Sequence, residues 1–182
     1  MNKLFHYAIA ATVLLASCRK IEQDVIIIGN NNGGGTEENT VLEGKVSADR
    51  TLKAGYTYKI RGIVYVVNGA KLTVEPGAVI QGEKGASSRG TLVITKGSQL
   101  IADGTKEKPI LFTSDQSTPQ RGDWGGIVIL GNAKTNASLN GVQGIGSVEG
   151  GVNNAEGLGV YGGTNDNDNS GVIRYVRIEY AG

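Results

Sequence analysis

From Val41 onward the chain alternates short apolar runs with glycines and polar residues. The runs include Tyr56–Ile60, Ile63–Val67, Leu72–Val74, Leu92–Ile94, Ile110–Phe112, Ile127–Leu130 and Val172–Tyr180. β-Branched residues and tyrosine dominate them, Gly or Asn bounds them, and no stretch of useful length has a helical period. The pattern predicts short β-strands joined by tight turns. A unit also recurs. Leu72 matches Leu92, Val74 matches Ile94, Gly77 matches Gly97 and Ile80 matches Leu100, all at one constant spacing. Leu52 precedes Leu72, and Phe112 follows Leu92, by the same step. A period of about 20 carrying several short strands is the size of one coil of a parallel β-helix. Leu-x-Val spacing puts two side chains on one strand face, and stacked coils would make them a continuous interior ladder. A glycine after each strand permits the corner between faces.

An antiparallel β-sandwich also has strands at short spacing, and Asn68-Gly69 and Asn140-Gly141 are hairpin-type dipeptides. The repeated strand-Gly-strand unit keeps one register, which suits stacking. The expectation is therefore an all-β solenoid, a right-handed parallel β-helix with a coil of about 20 residues, with the β-sandwich as its alternative.

The N-terminus changes the domain picture. Lys3 precedes an apolar run from Tyr7 to Ala16, about the length of a signal-peptide core and too short for a bilayer span. It ends in Leu15-Ala16-Ser17-Cys18, which resembles the lipobox of bacterial lipoproteins. The resemblance implies a signal peptide at 1–17 and acyl chains, palmitate among them, on Cys18. It also implies residence at the cell envelope, held to a membrane by the lipid. Arg19, not Asp, follows the cysteine, which by analogy with lipoprotein sorting favours the outer membrane, on its periplasmic face or the cell surface. Residues 18–40 include Asn30 to Glu38, which has no apolar member and reads as a flexible tether. Residues 41–182 form the expected β-helix domain.

Charge and residue counts then exclude several activities. Cys18 is the only cysteine, so no intramolecular disulfide is possible. Removing the signal takes away Lys3 and the only histidine, His6, and leaves 17 basic and 17 acidic side chains. No basic block stands out, so a nucleic-acid partner is not expected. Without histidine, a Ser-His-Asp triad, a Cys-His pair and a His-ligated zinc site are impossible. The Gly-rich stretch from Gly141 to Gly151 lacks a following Gly-Lys-Ser/Thr and reads as a long irregular loop leaving one coil.

The blocks Val74–Gly82, Lys108–Ser114, Gly122–Ala133, Tyr161–Gly163 and Ser170–Gly182 together resemble a family of secreted or lipid-anchored bacterial proteins, largely of unknown activity, with a right-handed parallel β-helix. The resemblance covers roughly residues 40 to 182. It implies further coils in longer members. Because the chain stops directly after a strand without a polar cap, it is expected to be an N-terminal fragment.

Three features are candidates for chemistry. Asp166, Asp168, Ser170 and Gly171 match positions one, three, five and six of a calcium loop, where alternate oxygens converge on the ion. Position twelve is Arg177, not a bidentate Glu. A solvated Asn/Asp turn is the other reading. Tyr175, Arg177 and Glu179 alternate, so they are expected to share an exposed strand face able to stack on a sugar ring and bond its hydroxyls, with Val176, Ile178 and Tyr180 inside. The sole Trp, Trp124, is either a carbohydrate platform or a cover over one end of the coil interior. Polysaccharide lyases of this architecture use calcium, an Arg or Lys base and acidic ligands. No carboxylate pair is placed convincingly for glycoside hydrolysis. The expected function is a binding or structural module at the envelope, meeting glycans or surface proteins, and more readily a non-enzyme. The alternative is a polysaccharide lyase or hydrolase whose active site lies mostly in missing coils.

Overall fold

The computed structural model describes residues 39–182. The signal segment, Cys18 and most of the tether lie outside the described residues.

Strand β1 (Val41–Val46) and β2 (Arg50–Leu52) form the first coil, and β3 (Thr57–Val66) and β4 (Lys71–Val74) the second. The third holds β5 (Val79–Gly82), β6 (Thr91–Ile94) and β7 (Gln99–Asp103). The fourth starts with β8 (Ile110–Ser114) and β9 (Gly126–Ile129). It then leaves the solenoid through β10 (Ser138–Leu139), β11 (Val142–Gln143), β12 (Ile145–Ser147) and β13 (Val160–Gly162). It returns as β14 (Gly171–Arg174), and β15 (Val176–Ile178) begins the next pass.

Three faces result, all paired in parallel. The first stacks the leading halves of β1 and β3 with β5, β8 and β15. The second stacks the trailing halves of β1 and β3 with β6 and β9. The third is β2, β4, β7 and β14. β1 and β3 serve two faces because each bends at a glycine, Gly44 (φ +66°) and Gly62 (φ +59°), in the left-handed region that glycine enters without steric cost. Parallel pairing throughout the coils excludes the sandwich, and the fold is a parallel β-helix.

The interior is built from columns of like positions. Tyr58, Ile80, Phe112 and Ile178 form one, Val64, Leu92 and Ile127 a second, and Leu52, Val74, Ala102 and Ile173 a third. Most of these side chains are fully buried, and each large one contributes about 1.5–3 kcal/mol on leaving water.

The constant period of the sequence is not the coil. Leu72 stacks on Leu100, whereas Leu92 belongs to another face and stacks on Val64 and Ile127. Tyr58 meets Ile80, and Ile80 meets Phe112 only after a longer stretch of chain. The second and third faces share an apolar-x-apolar strand followed by Gly, as in Leu92-x-Ile94 before Gly97 and Leu72-x-Val74 before Gly77, so a repeat of strand plus turn imitates a repeat of coils. The corner between the first and second faces also lengthens, from the single bend at Gly62 to residues 83–90 and then 115–125.

The Gly-rich segment does leave one coil, as residues 130–170 between β9 and β14. It is not featureless. Asn140 and Gly141 (φ +53° and +82°) turn the hairpin β10–β11, and β12 pairs antiparallel with β13. The excursion folds over the outside of the second face, where Tyr65, Val67, Val93 and Leu130 form a second core with Val148, Val152, Leu158 and Tyr161. This explains why Val93, an outward residue of β6, is fully buried although Leu92 and Ile94 already fill the coil interior. Tyr65 Oη donates to Val152 O at 2.7 Å and Lys96 Nζ to Gly162 O at 3.0 Å. Asn68-Gly69, by contrast, makes the corner from β3 to β4 and not a hairpin.

Candidate functional site

The second face is covered by the excursion, so the longest polar surface set by strand register is the outside of the first face. Outward side chains fall in columns about 4.8 Å apart from coil to coil. Lys59, Gln81 and Thr113 are in register, and Glu179 continues them, its N–H bonding Phe112 O at 2.9 Å. Thr113 Oγ1 donates to Glu179 Oε2 at 3.4 Å. One step along the strands lie Glu43, Arg61, Glu83 and Asp115. Glu43 pairs with Arg61, and the N–H groups of Glu83 and Asp115 extend the ladder to Ile60 O and Gly82 O. Arg61 bridges its neighbours, with Nε 3.1 Å from Glu83 and Nη1 3.8 Å from Glu43. Lys59 Nζ crosses to Asp115 at 3.2 Å. On the opposite side run Thr57, Val79, Leu111 and Arg177.

The long corner loops close one edge of this face through Asp123. This carboxylate is 1% exposed. Its Oδ2 accepts from Ser114 Oγ at 2.7 Å and from the Gln120 N–H at 2.8 Å. Oδ1 makes no hydrogen bond of ordinary geometry, and its partner is the ammonium charge of Lys84, 2.7 Å away. Lys84, the Gln120 N–H and Ser114 hold the Asp123 pKa down at about 2. At Asp115 burial pushes the pKa up, but hydrogen bonds from Gln116, the Lys84 N–H and Lys59 outweigh it, and the net direction is down. Both carboxylates are fixed anions of the frame.

The family model for a pectate-lyase like β-helix domain matches residues 44–182. The chain belongs to this family. No curated protein and no solved structure matches the chain.

Within this pectate-lyase-like β-helix the expected stripe of Tyr175, Arg177 and Glu179 is only partly formed. Arg177 pairs with Leu111 in the outward column, and its guanidinium contacts Glu179. Tyr175 is not on the strand. It sits at the corner between β14 and β15 with φ +48°, and is 54% exposed. That left-handed turn breaks the alternation assumed from sequence. Tyr180 likewise turns a corner (φ +60°) and does not point into the interior as a strand residue would. Trp124 is fully buried, stacks on Phe112 with ring centroids 6.4 Å apart, and donates its indole N–H to Glu179 O at 2.7 Å. It fills the coil and offers no face to a ligand.

The carboxylates of the calcium-like segment are directed at protein. Asp168 Oδ2 accepts from the Asn132 N–H at 2.9 Å and from Ser170 Oγ at 3.3 Å. Asp166 accepts from the Lys134 N–H at 3.2 Å, and Lys134 Nζ lies 3.5 Å from its other oxygen. Together they fasten the start of the excursion to its end, and a cation there would compete with Lys134. Among the described residues no group of three or more His, Cys, Asp or Glu side chains is arranged to hold a metal ion.

The columns around Lys59, Gln81 and Thr113 were invisible in sequence. The step from Lys59 to Gln81 is shorter than the step from Gln81 to Thr113, and no single period places all three together.

Proposed function

We propose that the chain is a lipid-anchored binding module of the cell envelope that holds an extended glycan along the outside of the first face. The observation that supports this reading is the juxtaposition of hydrogen-bonding side chains, Lys59, Gln81 and Thr113, with the apolar pair Val79 and Leu111. Polar groups that fix orientation beside apolar surface for ring faces are the usual composition of a ligand site. A frame whose neighbouring side chains sit one strand apart also suits a polymer better than a compact ligand. Tyr175 and Arg177 stand at one end of this surface. Cys18 would carry the acyl chains and residues 18–40 the reach from the membrane.

The test is retention of the purified chain by immobilised polysaccharides, compared with a Gln81→Ala/Thr113→Ala double variant. Binding by the parent and about tenfold weaker binding by the variant, the loss of one or two hydrogen bonds, are expected. Equal retention of both would move the site elsewhere. Replacing Cys18 with Ser should release the protein from membranes into the soluble fraction.

A further inference from the structure

The charges of the first face discriminate between two kinds of glycan. We infer that its ligand is an uncharged, hydroxyl-rich polysaccharide and not a polyuronate, an inference that rests on the glycan reading above. A polyuronate brings a carboxylate on every residue, so a surface that binds it must offer cations or a bridging divalent ion. The cations on this face are Lys59, Arg61 and Arg177, and each already faces protein carboxylates. Lys59 lies 3.2 Å from Asp115, Arg61 lies 3.1 Å from Glu83 and 3.8 Å from Glu43, and Arg177 contacts Glu179. The corner loops carry Lys84, Arg89 and Arg121. Lys84 is taken by Asp123 at 2.7 Å and Arg89 Nη1 donates to Gly182 O at 3.2 Å, which leaves Arg121 at that rim, beyond the columns themselves.

Four carboxylates thus stand against three cations along the columns. Drawing any one cation towards a polyanion leaves its former partner facing a like charge, an arrangement that interfaces avoid. The turn before β8 carries Lys106 and Lys108 with Glu107 between them. Lys108 packs at the corner, with its Cβ 3.7 Å from where a Cβ on Gly77 would be. That is one net positive charge at one rim, too little to line a polyanion. A calcium bridge needs convergent acids. Glu83 and Asp115 are neighbours in one column, but Arg61 lies 3.1 Å from Glu83 and Lys59 3.2 Å from Asp115. Among the described residues no group of three or more His, Cys, Asp or Glu side chains is arranged to hold a metal ion. Gln81 and Thr57 remain as neutral donors and acceptors, and Thr113, whose hydroxyl donates to Glu179, as an acceptor. The unused lone pairs of the paired carboxylates can also accept from hydroxyls, and Val79 and Leu111 lie beside ring faces.

The experiment is affinity electrophoresis of the whole chain in gels containing a neutral β-glucan or polygalacturonate of matched length, at low salt, where surface charge acts most strongly, with and without calcium. Retardation by the neutral polymer and at least about tenfold weaker binding to polygalacturonate in both conditions are expected. Tighter binding to polygalacturonate overturns this inference while leaving the glycan reading intact. Retardation by neither polymer overturns the glycan reading and this inference with it.

Discussion

A Cβ built on Gly82 would lie 2.5 Å from both Cβ and Cγ of Trp124, so the absent side chain at 82 and the indole at 124 share one interior slot. The column Leu42, Ile60, Gly82, Ser114 shows why. Two large residues are followed by a gap and a small hydroxyl, and Trp124 enters that gap from the corner loop. Its ring then extends the Phe112 surface, and its N–H closes on the next coil at Glu179 O. Gly82→Ala forces a methyl into the indole, with no flexible chain end to yield. Overpacking of a tight core costs about 1–3 kcal/mol, and the upper end is expected here. Gly97→Ala is the control. Its surroundings are open, and only its φ of +80° opposes the substitution, at about 1–2 kcal/mol. Because Trp124 is the sole tryptophan, its emission reports unfolding directly in urea. A Gly82→Ala midpoint equal to that of the parent would refute the shared slot.

Acid lability follows from Asp123. Its folded pKa of about 2 lies below the ordinary 3.8, so the protonated form is the one the fold disfavours. A depressed carboxylate contributes stability that is complete above its unfolded value and is lost as pH falls through the folded one. The window therefore runs from about pH 4 down to about pH 2, and Asp115, also lowered, acts with the same sign. The parent should lose stability across this window, and Asp123→Asn should start less stable at neutral pH and lose less on acidification. Parallel pH profiles for the two proteins would remove Asp123 from the account.

How much of this was legible in sequence depends on range. Strand chemistry is local, and the alternation in Lys71–Val74 was readable from side chains alone. Coil register is not local. It depends on corner lengths, and residues 83–90 and 115–125 carry no pattern that announces where the next strand resumes. The match of Leu72 to Leu92 was true of strands and false of coils for that reason. Tyr175 failed similarly, since a single left-handed residue moves a side chain off its face, and nothing in Arg174-Tyr175-Val176 marks one. Trp124 was open between platform and cover, and only Gly82, in the coil before it, resolves it.

The excursion is fastened to the second face by Tyr65, whose hydroxyl donates to Val152 O at 2.7 Å. Burial, with Glu156 adding to it, raises the phenol pKa, so the bond persists throughout the neutral range. Tyr65→Phe keeps the packing and removes the donor, leaving a carbonyl without it, for a loss of about 0.5–1.5 kcal/mol. The loss should be local. Amide exchange is expected to quicken around Val148–Tyr161 with little change in β4 or β7. Uniform acceleration across all coils would show that the excursion and the solenoid open as one unit.

Calcium and structural roles for the Asp166–Ser170 segment make opposite predictions. In the structure Asp168 is an acceptor for the Asn132 N–H and for Ser170, joining the strand β14 entry to the β9 exit. Charge-assisted bonds of this kind are worth about 1.5–3 kcal/mol when buried, and this one is only partly so. Asp168→Ala should therefore lower the melting temperature by about 2–6 °C for a domain of this size. As a fastener the residue acts without a cation, so the same drop is expected in calcium and in chelator. As a ligand it would act only with the ion, and the variant would lose a calcium-induced rise that the parent shows. Lys134→Ala separates the two further. Removing its ammonium frees Asp166, which should weaken a fastener slightly but strengthen a cation site. A melting temperature that rises with calcium in Lys134→Ala and not in Asp168→Ala would establish the site as a metal site and displace the structural reading.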